Sequence, residues 1–143
     1  MLMNCCFSKP LIGEISYEKI INEFMGAWEV TSIQTYTSDK EYETSINLDY
    51  WTLEKNGNNI TLKNPVSNAI ASITIDKVDG KTLKFKKISY DGSEKIIETP
   101  IITLNGDKFT GTDLIVIEKY DNLGNLIDKT EIKFKVYGIK IIN

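Results

Sequence analysis

The stretch that decides the fold is Phe24-Met25-Gly26-Ala27-Trp28-Glu29-Val30, where the apolar pattern changes from helical spacing to strand spacing. Before it, the apolar residues Tyr17, Ile20, Ile21 and Phe24 share one face at the 3.6-residue period of a helix. Ser16 is a suitable N-cap for that helix. We therefore predict a short amphipathic helix that covers an apolar surface. After Gly26 the chain is rich in Ile, Val, Thr, Tyr and Phe, which is typical of β-strands.

Turn dipeptides divide the rest of the chain into short segments. They occur at Asn56-Gly57, Asp79-Gly80, Asp91-Gly92 and Asn105-Gly106, and they supply the positive φ angles of tight hairpins. The segments between turns predict strands near 27–37, 46–55, 59–63, 70–78, 82–89, 95–104, 108–120 and 126–137. In the last of these, apolar residues alternate with Lys133, Lys135 and Tyr137, which indicates an antiparallel sheet with one solvated face.

Consecutive hairpins predict a meander whose two edges need protection. Closure into a barrel removes both edges, and a barrel of this size encloses side chains or one small ligand. A two-sheet sandwich is the alternative, but it usually needs Greek-key crossovers, and no long crossover connection is visible. We therefore predict an all-β domain over residues 16–143. It is an antiparallel up-and-down barrel of about eight strands, with the short N-terminal helix capping one end.

The composition excludes several classes of function. The chain has 143 residues, which fit one domain, and it contains neither histidine nor arginine. Nucleophilic systems based on His and zinc sites based on imidazole are therefore excluded, as are bidentate Arg clamps. The net charge of -3 gives no reason to expect nucleic acid as a partner. We expect a protein that is not an enzyme and that uses no metal or cofactor, with an enzyme that uses carboxylates inside the barrel as a third alternative.

Residues 1–15 predict a flexible leader in front of the domain. Cys5 and Cys6 are adjacent, which disfavours a disulfide between them. Leu2 precedes Cys5 by three residues, as in a bacterial lipoprotein cleavage site. Cys5 is therefore a candidate lipidation site, and a secreted or membrane-anchored lipoprotein is one expectation, with a plain leader as the alternative. No apolar run reaches about 18 residues, so we predict no transmembrane segment.

The helix followed by Gly26-x-Trp28 resembles the opening of lipocalins and the wider calycin group, and most closely that of bacterial lipocalin-like domains. The resemblance continues through Trp51-Thr52-Leu53-Glu54 and a last strand of the type Lys133-Phe134-Lys135-Val136, and covers roughly residues 16–138. It implies that Gly26 lets the helix meet the first strand closely and that Trp28 plugs the closed end of the barrel. Lipocalins place an arginine on this Trp, and Lys133 or Lys135 is the expected substitute here.

The candidate ligand contacts follow from the direction of Trp28. If Trp28 points inward, alternation places Val30, Ser32, Gln34 and Tyr36 on the same face, and this series becomes polar toward the mouth. The predicted ligand-binding residues are Val30, Gln34, Tyr36, Tyr50 and Phe85. The predicted function is binding of a small hydrophobic or amphipathic molecule inside the barrel. The alternative is a protein-interaction or structural domain whose barrel is filled by its own side chains.

Most of the charged residues within the strands are expected to face solvent, with a carboxylate pair or a Lys-Glu site formed from different strands as the alternative. The acidic set near strands consists of Asp49, Asp76, Asp113, Glu118 and Glu131, and no two of them are spaced so as to force a shared inward site. The lysines Lys84, Lys86, Lys87, Lys133 and Lys135 predict a solvated outer stripe.

Overall fold

The computed structural model describes residues 17–142. The leader, its candidate lipidation site Cys5 and the predicted cap Ser16 lie outside this part of the chain. Helix α1 spans residues 17–24. The strands that follow are β1 Gly26–Thr37, β2 Ile46–Asn56, β3 Asn59–Asn64, β4 Ala69–Asp79, β5 Thr82–Asp91, β6 Glu94–Asn105, β7 Lys108–Tyr120 and β8 Leu126–Lys140. A 3-10 helix, Lys40–Tyr42, lies between β1 and β2.

The strands form one closed antiparallel barrel in the order of the sequence. Each strand pairs with the next, and β8 returns to β1 with a register that runs from Trp28 opposite Lys140 to Thr37 opposite Ile132. The predicted up-and-down barrel with eight strands is thus confirmed. Strand β8 is longer than expected, since it ends at Lys140 rather than at residue 137.

The end of the barrel next to α1 is closed by aromatic side chains. Phe24, Trp28, Trp51, Phe85 and Phe109 are all buried and pack against one another. The ring centroids of Trp28 and Phe109 are 5.0 Å apart, and those of Phe24 and Phe85 are 5.3 Å apart. The indole Nε1 of Trp28 donates a hydrogen bond to the Phe24 carbonyl at 2.8 Å, which ties α1 to β1. This end of the barrel is therefore solid.

Gly26 joins α1 to β1 in a conformation that a side chain would strain, with φ at +110°. It lies against Lys140, whose Nζ is 5.4 Å from the Trp28 ring centroid and 3.0 Å from the Glu23 carbonyl oxygen. Lys140 therefore supplies the cation over Trp28, and the expectation of Lys133 or Lys135 was wrong. Both of those side chains lie on the outer face of β8, because they alternate with buried Phe134 and Val136.

Replacement of Lys140 by methionine is expected to lower the free energy of unfolding by about 1 kcal/mol, since it removes the cation over Trp28 and the bond to α1. Urea denaturation followed by Trp emission measures the change. Lys135→Met removes the same charge from an exposed position of the same strand and serves as the matched control. Equal losses for the two variants would contradict a role for Lys140 at the closed end.

Candidate functional site

Four charged side chains enter the barrel beyond the aromatic layer. Residues that pair across adjacent strands share a face, and this rule places the four. Asp49 pairs with buried Val30, and Asp113 pairs with buried Phe134. Lys87 pairs with Glu98 on one side and with buried Ile73 on the other. Asp49 and Asp113 are therefore exceptions to the expectation that most acidic residues of the strands face solvent, and the expectation that Lys87 belongs to an outer stripe was wrong.

Asp49, Glu98 and Asp113 line a cavity of about 390 Å³ in the half of the barrel away from α1. Its wall consists of Ser32, Asn47, Leu48, Asp49, Trp51, Glu98, Asp113, Ile115 and Phe134. A second cavity of about 220 Å³ shares Asp49, Trp51 and Glu98 with the first and adds Lys87 and Ser89. The larger cavity lies within the range of small-molecule sites, roughly 300–1,000 Å³. The barrel is thus filled by side chains at its closed end, and a cavity lies beyond the aromatic layer.

Lys87, Glu98 and Asp113 interact with one another across three neighbouring strands. The Lys87 Nζ lies 3.4 Å from the Glu98 Oε1. Asp113 is only 5% exposed, and its pKa is raised from 3.8 to about 10 by burial first, and then by the charge of Glu98 and hydrogen bonding with it. Lys87 opposes this shift without cancelling it. Asp113 is therefore a neutral carboxylic acid at pH 7, next to an ion pair.

Asp113 also carries a buried acceptor with no partner. Within residues 17–142, its Oδ1 accepts no hydrogen bond from any side chain or backbone group. Buried oxygens of this kind are uncommon, because an unmade hydrogen bond in a dry site is costly. Asp113 belongs to the cavity wall, and no donor among the described residues is paired with this oxygen.

Asp49 is held in place from the opposite wall. Its Oδ1 accepts hydrogen bonds from its neighbour's backbone, Tyr50 N at 2.8 Å, and from the Asn64 side-chain amide. Asn64 in turn accepts from Val66 N at 2.9 Å within the β3–β4 turn. The pairing of β2 with β3 starts only at Thr52, so this side-chain bridge links the two strands where the backbone ladder has not begun. The bridge fixes the carboxylate at the cavity wall.

Two of the predicted ligand contacts belong to the core instead. Val30 and Phe85 are buried, and neither belongs to the wall of the larger cavity. Phe85 packs on Phe24 in the closed end, with Trp51 6.2 Å away between ring centroids. The predicted plug residues Gly26 and Trp28 do lie at that end, as described above.

The other three predicted contacts lie at the rim or outside. Gln34 holds the loop after β1, since its Nε2 donates to the Tyr42 carbonyl at 2.8 Å and its Oε1 accepts from Thr44 N at 3.2 Å. Tyr36 is 49% exposed and pairs with Lys133, whose Nζ lies 5.6 Å from its ring, so it shares the outer face. Tyr50 pairs with Glu29 on the outer face and borders only the smaller cavity.

The sequence itself indicates the inward direction of three of the four ionisable residues. Lys87 continues the series Leu83, Phe85 at a spacing of two. Asp113 likewise falls in the series Phe109, Gly111, Asp113, Ile115, Ile117, and Glu98 in the series Ile96, Glu98, Pro100, Ile102. Strand alternation therefore places all three on the apolar face.

The fold and the cavity together define a class of protein. It is a closed antiparallel up-and-down β-barrel of eight strands, consistent with a calycin-like fold, whose open half holds a polar cavity. The sequence matches no protein-family model, and a search of the curated proteins finds no similar sequence. Between residues 17 and 142, no group of three or more His, Cys, Asp and Glu side chains could hold a metal ion. No helix in that range is long and apolar enough to cross a membrane.

Proposed function

We propose that this chain is a non-enzymatic lipocalin-like domain that binds a small amphipathic molecule in the open half of its barrel. The observation that carries the proposal is the two-sided wall of the larger cavity. Trp51, Ile115 and Phe134 form its apolar side, whereas Asp49, Glu98 and Asp113 supply its polar groups. Lipocalin-type barrels of eight strands are wide enough to hold one such molecule.

The polar side of the wall favours an amphipathic ligand over a purely hydrophobic one. A ligand without polar groups would remove water from Glu98 and Asp49 and offer them no hydrogen bond in return. It would also leave the Asp113 Oδ1 unpartnered. A ligand with one polar group and one compact apolar group satisfies both sides of the cavity. This is the pattern of most small-molecule sites, where a few polar groups fix the orientation of a largely apolar ligand.

Cyclohexylmethanol is a suitable first probe, because it combines a hydroxyl with a compact ring and does not absorb where Trp does. Titration of the full chain is expected to give saturable binding of one molecule per chain and a shift in Trp emission, since Trp51 lies on the cavity wall. Ser32→Leu places apolar bulk in the cavity and is expected to weaken binding about tenfold or more. Thr31→Leu adds the same bulk at the neighbouring position on the outer face and should bind as the wild type does. Equal affinities of the two variants would place the ligand elsewhere.

A second candidate function is supported by the outer surface of β1, β2 and β8. Ile46 and Leu48 of β2 and Ile139 of β8 are exposed there, next to Tyr137. The register connects them, since β1 pairs with both neighbours along this stretch. Exposed apolar patches often mark protein interaction sites. Absence of ligand binding by a chain that melts cooperatively would favour this interaction function over the cavity function.

A further inference from the structure

We propose that the polar group of the bound molecule is an organic ammonium, held by a carboxyl cluster that consists of Asp49, Glu98 and Asp113. The inference rests on the proposed function and names the chemical class of its ligand. The three carboxyl groups come from β2, β6 and β7 and line one cavity. An ammonium group linked to a compact apolar ring or short chain would contact them while its apolar part reaches Trp51, Ile115 and Phe134.

The first observation is the unpartnered oxygen of Asp113. The residue is 5% exposed, and its Oδ1 is a buried acceptor that has no donor among the described residues. The acid proton of Asp113 is used in its hydrogen bond with Glu98, so this oxygen is an acceptor, and a ligand group that carries N–H or O–H satisfies it. A carboxylate, ether or carbonyl group has no hydrogen to give, so those classes of ligand leave the oxygen as it is.

The second observation is the balance of charge around the cavity. Asp49 and Glu98 carry carboxylates. On the walls of the two cavities, Lys87 is the one positively charged residue whose side chain lies inside the barrel. Lys63, which also borders the smaller cavity, lies on the outer face and pairs with Glu54 at 3.0 Å. With Asp113 protonated, one negative charge on the walls of these two cavities remains without a partner. A ligand with a single positive charge neutralises it.

The remaining wall residues add no opposing charge. From β1 and β3 the side chains are Ser32 and Asn64, and from β8 the neighbour is Phe134. Lys87, the one group that would attract an anion, is already paired with Glu98. An ammonium group carries up to three N–H donors and can therefore donate to more than one carboxyl oxygen of the wall. The same negative charges repel a carboxylate ligand. An alcohol has a single O–H, so it can donate to only one of the carboxyl oxygens.

Three ligands with one ring test the inference: cyclohexylmethylamine, cyclohexylmethanol and cyclohexanecarboxylate. Calorimetric titration of the full chain at pH 7 and low salt is expected to give an affinity about tenfold higher for the ammonium than for the alcohol, with the carboxylate weakest. An alcohol that binds as tightly as the ammonium overturns the ammonium inference and leaves the proposed function standing. Absence of binding by all three overturns the proposed function itself.

Two variants inside the cavity should shift the ammonium affinity in opposite directions. Glu98→Gln removes one carboxylate and is expected to weaken ammonium binding about tenfold, with a much smaller effect on the alcohol. Lys87→Met removes the competing cation and is expected to strengthen ammonium binding several-fold. Asp76→Asn removes a carboxylate from the exposed surface and is the control for net charge. If Lys87→Met weakens ammonium binding as Glu98→Gln does, the ammonium assignment is overturned.

Discussion

Gly138→Ala is expected to destabilise the barrel by about 3 kcal/mol, at the upper end of what an added methyl group costs in a packed core. A Cβ on Gly138 would overlap several ring atoms of Phe109, which pairs with Gly138 across β7 and β8. The position lies opposite Val30 on its other side, inside the barrel. The glycine is therefore required for the space that the ring occupies.

The Phe109 ring is enclosed by other aromatic rings and cannot move away from an added methyl group. Its centroid is 5.0 Å from that of Trp28 and 5.7 Å from that of Trp51, and Phe24 lies at 6.2 Å. Interiors packed at this density transmit an added volume to their neighbours rather than absorb it. A displaced Phe109 would thus push on the plug residue Trp28 and on the cavity wall at Trp51.

A double-mutant cycle separates this collision from a general loss of strand stability. Urea denaturation gives the free energy of unfolding for Gly138→Ala, Phe109→Leu and the double variant. Leucine is smaller at the site of the overlap, so the cost of the double variant should fall short of the sum of the single costs by about 1 kcal/mol or more. Strictly additive costs would show that the alanine methyl group and the Phe109 ring do not meet.

The barrel itself was predictable because the signals for it are local. Asn-Gly and Asp-Gly mark hairpin turns, and Gly57, Gly80, Gly92 and Gly106 all have the positive φ angles that such turns need. Between turns, the alternation of apolar and polar residues fixes which side of each strand is buried. Neither signal depends on where neighbouring strands lie, so the strand bounds were predicted within three residues.

The direction of Tyr36 was not predictable, because it depends on a single irregular residue. The pairing of β1 with β8 shifts between Gln34 and Tyr36, so Thr35 is an extra residue in the strand. One extra residue turns every later side chain to the other face. Thr35 has no turn or glycine signal in the sequence, and its Oγ1 merely donates to the Lys133 carbonyl at 3.3 Å.

The site was predictable strand by strand but not as a cluster. Alternation places Lys87, Glu98 and Asp113 inward, yet their height in the barrel depends on the stagger between strands. That stagger is set by the closure of the whole sheet. The same closure brings Lys140 rather than Lys133 opposite Trp28. Sequence spacing within one strand contains no information on either point.

The free energy of unfolding is expected to fall between pH 5 and pH 8, and Asp113→Asn should remove most of that fall. The pKa of Asp113 is about 10 in the folded chain and 3.8 in the unfolded chain, so throughout this window the folded chain holds a proton that the unfolded chain has already lost. Stability therefore decreases as the pH rises, by about 1.4 kcal/mol per pH unit and thus on the order of 4 kcal/mol over this range. The chain has no histidine, so few other side chains titrate there.

Asparagine is the informative replacement because it resembles the protonated acid. Its amide can donate toward Glu98, and it keeps an acceptor oxygen, but it has no proton to lose. Urea denaturation at pH 5 and pH 8 should give nearly equal free energies of unfolding for Asp113→Asn, with the variant the more stable protein at pH 8. Asp76→Asn, at an exposed position, should keep the slope of the wild type. A wild-type protein equally stable at both pH values would mean that Asp113 is ionised inside the barrel, and the cavity would then carry two unbalanced negative charges rather than one.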